Sequence, residues 1–215
     1  MRPSRRDLLR CAAGAAGAGL LHAPKLQEVG ESGLVTGKPQ ALAYSELPGF
    51  LSKEQVRWHH DSHYGGALKK FTQLDAAVTG DPRALASKAN SVILHELYFD
   101  NMTPVDSDPT ELANEALAAR FGSVDGWVDD FRAAALSSRG WAVLAWHPVN
   151  GRLYNIATDS HSDGPLWFGV PLAVIDMYEH AYYIDFQNRK ADYVEGFIEH
   201  VNWAAIDRRI RATSG

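Results

Sequence analysis

Only one cysteine, Cys11, occurs in 215 residues. It has no second cysteine to pair with, so a disulfide framework and a multi-thiolate metal site are both excluded within one chain. A membrane-spanning helix needs about 20 consecutive apolar residues, and the apolar stretch near the N-terminus is shorter and weaker than that. The body of the chain has no basic run, and the formal charge is -5, so nucleic acid is not an expected partner. Internal repeats are absent, as are low-complexity tracts after residue 23. What remains is 46% apolar and 22% charged, a soluble globular profile with enough chain for one or two small domains.

The first two dozen residues differ from the rest. Ser4-Arg5-Arg6-Asp7-Leu8-Leu9-Arg10 precedes a stretch built only of Cys, Ala, Gly and Leu. A basic start before a short apolar segment reads as an export signal, and the paired arginines resemble a twin-arginine signal. Its removal takes away Arg2, Arg5, Arg6, Arg10 and Asp7, leaving a charge of -8 and no cysteine. The expected destination is periplasmic or extracellular, with no membrane contact in the mature form.

Hydropathy and turn residues divide the chain into a signal segment (1–26), an extended lead-in (27–45), a helical hairpin domain (46–104) and a C-terminal α+β domain (105–215). Ser52 and Gln55 have the spacing of a capping box. Behind them Val56, His59, His63, Ala67 and Phe71 share one helical face. Gly65-Gly66 weakens this helix and suggests close backbone packing there. Asp81-Pro82 is a helix start, and the helix that follows carries His95. Helices are expected at 109–121 and 124–136. Strands follow at 141–146, 153–158 and 170–175, with a hairpin turn at Asn150-Gly151, and helices from 178 to about 210. The class is α+β with a small three-stranded antiparallel sheet.

Four residues carry chemistry. His59 lies in Trp58-His59-His60-Asp61-Ser62-His63-Tyr64 and His95 in Leu94-His95-Glu96-Leu97. Asp176 and His180 fall four apart where an apolar strand gives way to a helix-like stretch. Three imidazoles and one carboxylate form a donor set suited to iron or manganese, with zinc also compatible. Alone, a histidine on an apolar helix face is more often a packed core residue. His60, about 100° around the helix from His59, is expected to face solvent.

The run Asp176-Met177-Tyr178-Glu179-His180-Ala181-Tyr182-Tyr183 resembles the D-x-W-E-H-A-Y-Y signature of the iron/manganese superoxide dismutases, with Tyr178 replacing the usual Trp. Asp185-Phe186-Gln187-Asn188-Arg189, Tyr193, Val201-Asn202-Trp203 and Gly140-Trp141-Ala142 extend the match over about residues 44–210. The resemblance implies dismutation of superoxide by one Fe or Mn ion per subunit held by His59, His95, Asp176 and His180. It implies a homodimer or tetramer with Glu179 and Tyr183 at the interface, and His63 beside the site.

The surroundings depart from the family. A tyrosine expected at the channel mouth is Ala67, with Tyr64 one turn away. The second tryptophan of a Trp-x-Trp pair is Val143. One position that supplies a solvent-binding glutamine is Ser91, too short for that role, and the other falls in the loop holding His161. His161, His63 and Tyr64 are therefore the expected tuning groups. The alternative is an exported dismutase-like metal-binding or interaction protein with low dismutase activity.

Overall fold

The computed structural model describes residues 31–77, 80–163 and 168–213. The signal segment lies outside them. Among the described residues no helix is long and apolar enough to cross a membrane.

The lead-in holds one short helix, α1 (Gly33–Thr36), capped by the Ser32 hydroxyl and ended by Gly37 at φ 70°. Helix α2 (Lys53–Trp58) starts where the sequence indicates, with Ser52 Oγ accepting from Gln55 N. Only half of the expected box forms, because the Gln55 side chain turns into the interior and Ser52 N donates to Asp185 instead. The helix then widens into a π-helical segment, His59–Tyr64, before resuming as α3 (Gly65–Ala76). Gly65 and Gly66 do not mediate close packing: a Cβ would meet nothing at Gly66 and only His60 O, at 3.6 Å, at Gly65.

Helix α4 (Pro82–Asp100) is capped by Asp81, which accepts from Arg83 N and Ala84 N, and it packs against α3. Thr110 and Ser123 cap α5 (Glu111–Phe121) and α6 (Val124–Ser137), with Gly122 at φ 85° between them. Strands β1 (Trp141–His147), β2 (Arg152–Thr158) and β3 (Val170–Asp176) form an antiparallel sheet in the order β2-β1-β3. Gly151, at φ 63°, turns β1 into β2. The expected helix from 178 is instead a 3-10 turn, Glu179–Ala181, and a single-turn helix α7 (Tyr183–Phe186). Helices α8 (Lys190–Glu199) and α9 (Trp203–Thr213) complete the chain.

The sheet is covered by α4 on β3 and by α6 on β1 and β2. Trp127, Phe131, Trp141, Leu144, Tyr193 and Phe197 lie fully buried in the core between these layers. The outer edge of β3 is closed by side chains rather than by a fourth strand. Asn101, buried at the end of α4, accepts from Val174 N (2.8 Å) and donates to Leu172 O (3.4 Å). Arg209 donates to the same carbonyl and to Asp100. These bonds satisfy an edge that would otherwise stay open, and they fix the helix bearing His95 against the strand ending in Asp176.

Candidate metal centre

Asp176 ends β3 directly opposite Trp141 in the sheet register and is fully buried. Its Oδ1 accepts from Tyr178 N at 2.9 Å, a bond made possible by the chain leaving the strand two residues on. Its Oδ2 therefore faces inward alone. Around it stand His59 Nε2 at 3.2 Å, His180 Nε2 at 3.3 Å and His95 Nε2 at 3.6 Å, from the π-helical segment, the 3-10 turn and α4. All four atoms lie within 4.8 Å of one another.

The tautomer of His95 is set by its other nitrogen. Nδ1 lies 2.7 Å from the Ser91 carbonyl, which can only accept, so the proton sits there and Nε2 is bare. Burial drives the His95 ring down to about 3 and lowers His59 from its ordinary 6.5 despite the neighbouring Asp176, so both rings are neutral near pH 7. Burial by itself would raise Asp176, but the His180 and His59 rings beside its carboxylate outweigh that and hold it below the ordinary 3.8.

Bare imidazole nitrogen facing carboxylate oxygen at this range has no favourable direct contact. Indeed His95 Nε2 and His180 Nε2 are buried with no hydrogen-bond partner. A buried unpaired polar atom is costly, and two converging on one carboxylate oxygen call for a cation. Donors about 2 Å from a common ion stand roughly 3 to 4 Å apart, as Asp176 Oδ2 does from each of the three imidazole nitrogens. The residues fit iron or manganese, and none of the four is a thiolate that would favour a softer ion.

A second ring of residues holds these donors in place. Gln55 is fully buried; its Nε2 donates to His180 O (2.7 Å) and its Oε1 accepts from Ile184 N (3.1 Å), pinning the turn that presents His180. Tyr193 donates to Asp176 O (2.8 Å) and lies 3.0 Å from the Tyr98 hydroxyl. Gln55 had read as a helix cap, and only the fold reveals its longer reach. Ser91 contributes its carbonyl, not its hydroxyl.

The expected tuning groups divide. His161 comes to the site: its ring lies 6.3 Å from His95 and 5.0 Å from Tyr178. The Trp141 indole N–H donates to His161 Nδ1 at 2.9 Å, which places the proton of the neutral ring on Nε2. Burial lowers this ring from 6.5, so it stays neutral near pH 7. His63 is also close, stacked on His180 at 3.8 Å, and partial burial beside that ring brings it to about 4.

Tyr64 is bonded elsewhere. Its hydroxyl donates to Glu96 Oε1 (2.9 Å) and accepts from Gln40 N (3.0 Å), so it faces away from the four donors. Ala67 is buried and offers no hydroxyl in its stead. His60 does not face solvent freely either, since its Nδ1 lies 2.8 Å from Asp61 Oδ1 and its Nε2 2.8 Å from Gln40 O. Glu179 and Tyr183 lie on the surface beside His180.

Comparison with known proteins agrees with this geometry. Residues 109–209 match the model of the iron/manganese superoxide dismutase C-terminal domain. Superoxide dismutase [Mn] 1 of Halobacterium salinarum is 32% identical over 178 residues, 77% of this chain and 89% of that protein. Superoxide dismutase [Fe] of Aquifex pyrophilus is 33% identical over 178 residues, 74% of this chain and 84% of its own. Superoxide dismutase [Fe] of Cupriavidus metallidurans is 32% identical over 191 residues, covering 81% and 95%. Similarity at this level over most of both chains, together with three histidines and an aspartate gathered on one point, means that the chain belongs to the iron/manganese superoxide dismutase family.

Proposed function

We propose that this protein is an exported superoxide dismutase holding one iron or manganese ion between His59, His95, Asp176 and His180. The observation that carries this reading is the convergence of two partnerless imidazole nitrogens and a third on Asp176 Oδ2. When bound, the ion supplies the redox chemistry, by which two superoxide anions and two protons become one oxygen and one hydrogen peroxide.

The protein's own part is to orient and to protonate. Ser91 O and the buried surroundings keep His95 neutral with Nε2 presented inward. Tyr178 N removes Oδ1 of Asp176 from competition, so one anionic oxygen is offered. His161, held by Trp141, has its N–H on Nε2 and takes the place of the family's glutamine as hydrogen-bond donor to solvent in the site.

Two further features complete the proposal. Arg5-Arg6 directs export by a twin-arginine route, and Arg5→Lys with Arg6→Lys should retain the precursor in the cell, because that recognition reads paired guanidinium groups. Glu179 and Tyr183 form part of a two-fold interface. The support is a cluster of exposed large side chains beside the site, Trp58, Tyr183 and Ile184, at 45%, 51% and 43% exposure. Sedimentation of the metal-loaded protein as a monomer at micromolar concentration would contradict the interface.

A second reading, metal binding with little dismutation, is favoured by one observation: Ala67 offers no hydroxyl and that of Tyr64 is committed to Glu96. Dismutation assays on iron-loaded and manganese-loaded protein separate the two. Turnover in the range of family enzymes supports the first, and full metal content with turnover no faster than free ion supports the second.

A further inference from the structure

Glu96 follows the ligand His95 on α4, is buried, and has no counterpart in the chemistry described so far. Its carboxylate collects three donors from two distant segments. Ser32 Oγ donates to Oε2 at 2.8 Å, while Gly33 N and the Tyr64 hydroxyl both donate to Oε1 at 2.9 Å. Gly33 is fitted to this contact, since a Cβ there would stand 3.1 Å from Oε1, 3.0 Å from Leu68 Cδ2 and 2.9 Å from Lys38 O.

The lead-in is then pinned twice more along its length. Gln40 donates its N–H to the Tyr64 hydroxyl, and its carbonyl accepts from His60 Nε2 at 2.8 Å. The Tyr44 hydroxyl donates to Phe99 O at 3.0 Å. Every pin lands beside a metal-ligand candidate. Glu96 neighbours His95 and His60 neighbours His59. The Tyr64 ring lies over His95 at 6.2 Å and 24°, and the Phe99 ring touches His59 at 5.0 Å. The π-helical segment makes this possible, because its wider turn places His59 and Tyr64 together against α4.

We propose that Glu96 and Tyr64 are positioning residues, which use residues 32–44 as a strap to lock the His59 segment against the His95 helix and so set metal retention. The proposal rests on the four-donor reading of the site. As an amide this group loses the charge on which three donors converge, and its nitrogen end is met only if Ser32 turns its hydroxyl round to accept, so Glu96→Gln weakens the lock while keeping its shape. Tyr64→Phe removes the bridging hydroxyl and keeps the ring on His95.

The test uses the full chain loaded with manganese. Release of metal to excess chelator is followed for wild type, Glu96→Gln, Tyr64→Phe, the double variant and Gly33→Ala, alongside urea unfolding of the metal-loaded and metal-free forms and the electron paramagnetic resonance spectrum of bound Mn(II). Expected are release about tenfold faster in each variant, a shifted spectrum, and a double variant no faster than the worse single one, because both break one link. Release within about twofold of wild type would overturn the proposal. So would faster release with an unchanged spectrum and an equal loss of urea stability with and without metal, which is what a purely structural role gives. Lack of dismutation by wild type would sink the enzymatic reading and leave these release rates fully informative.

Discussion

The centre has two unlike parts. Its inner part, His59, His95, Asp176 and His180, is buried or half-buried and keeps every donor that the family signature implies. By the resemblance, the wall around it differs: Ala67 stands in place of a tyrosine, Val143 in place of a tryptophan, and His161 at or next to the position of a glutamine. The buried Tyr64 hydroxyl is engaged by Glu96. Holding an ion depends on four atoms and the bonds that aim them. Handling an anion and two protons depends on the wall. The two tasks are therefore separable, and variants of each part should fail differently.

The largest effect is expected inside. Asp176→Ala removes the sole anionic donor and leaves three imidazoles, so purified protein should carry almost no iron or manganese by elemental analysis. His95→Ala should do nearly the same. A full metal complement in Asp176→Ala would erase the distinction between the two parts.

Acid should act on the inner part next. His95 is held at about 3 and half-exposed His63 at about 4, against 6.5 in the unfolded chain. Between pH 6.5 and about 3 the unfolded form binds protons that the folded metal-free form refuses. Stability is thus complete above 6.5 and falls as pH drops through that window. Asp176, which stays ionised below its ordinary 3.8, adds to the loss at the acid end. His95 alone accounts for on the order of 5 kcal/mol, while the exposed His63 is screened and adds little. Urea midpoints of the metal-free protein should fall over this range and fall less in His95→Gln. A flat profile from pH 6.5 to 4 would refute the buried, neutral state of this ring.

Gln55→Leu attacks the aim of a donor without touching it. The variant frees the His180 turn, and metal affinity should drop about 10- to 100-fold with the unfolding midpoint less affected. Unchanged affinity would show that the turn holds itself.

How far the sequence reveals these parts follows from the range of the interactions. The four donors, the Asp81-Pro82 helix start, the Asn150-Gly151 turn and three strands are legible, because each rests on residues close together in the chain. Gln55 was not, since its partners His180 and Ile184 lie 125 and 129 residues away. The Glu96 contacts with Ser32, Gly33 and Tyr64 span 32 to 64 residues and leave no local pattern. The π-helical segment has the sequence pattern of ordinary helix, because six residues are too few to shift a helical periodicity. On that regular helix His60 points to solvent, whereas the strap supplies it an acceptor at Gln40.

The smallest effect belongs to the wall. His161→Gln should keep metal and change turnover a few-fold, with a shifted pH profile and reduction potential. His161→Ala should change them more, because Trp141 and the solvent both lose a partner. If both variants match wild type in rate, pH profile and potential, His161 is a bystander and the wall is set elsewhere.

The central claim is that four side chains share one ion. X-ray absorption at the metal edge of protein purified with iron or manganese tests it most directly, paired with anomalous diffraction to locate the ion. The account predicts one ion per chain, bonded to three imidazole nitrogens and one carboxylate oxygen at about 2.0–2.2 Å, at the point where His59, His95, His180 and Asp176 Oδ2 converge. An ion bound elsewhere, or a coordination shell without three imidazoles, would contradict it.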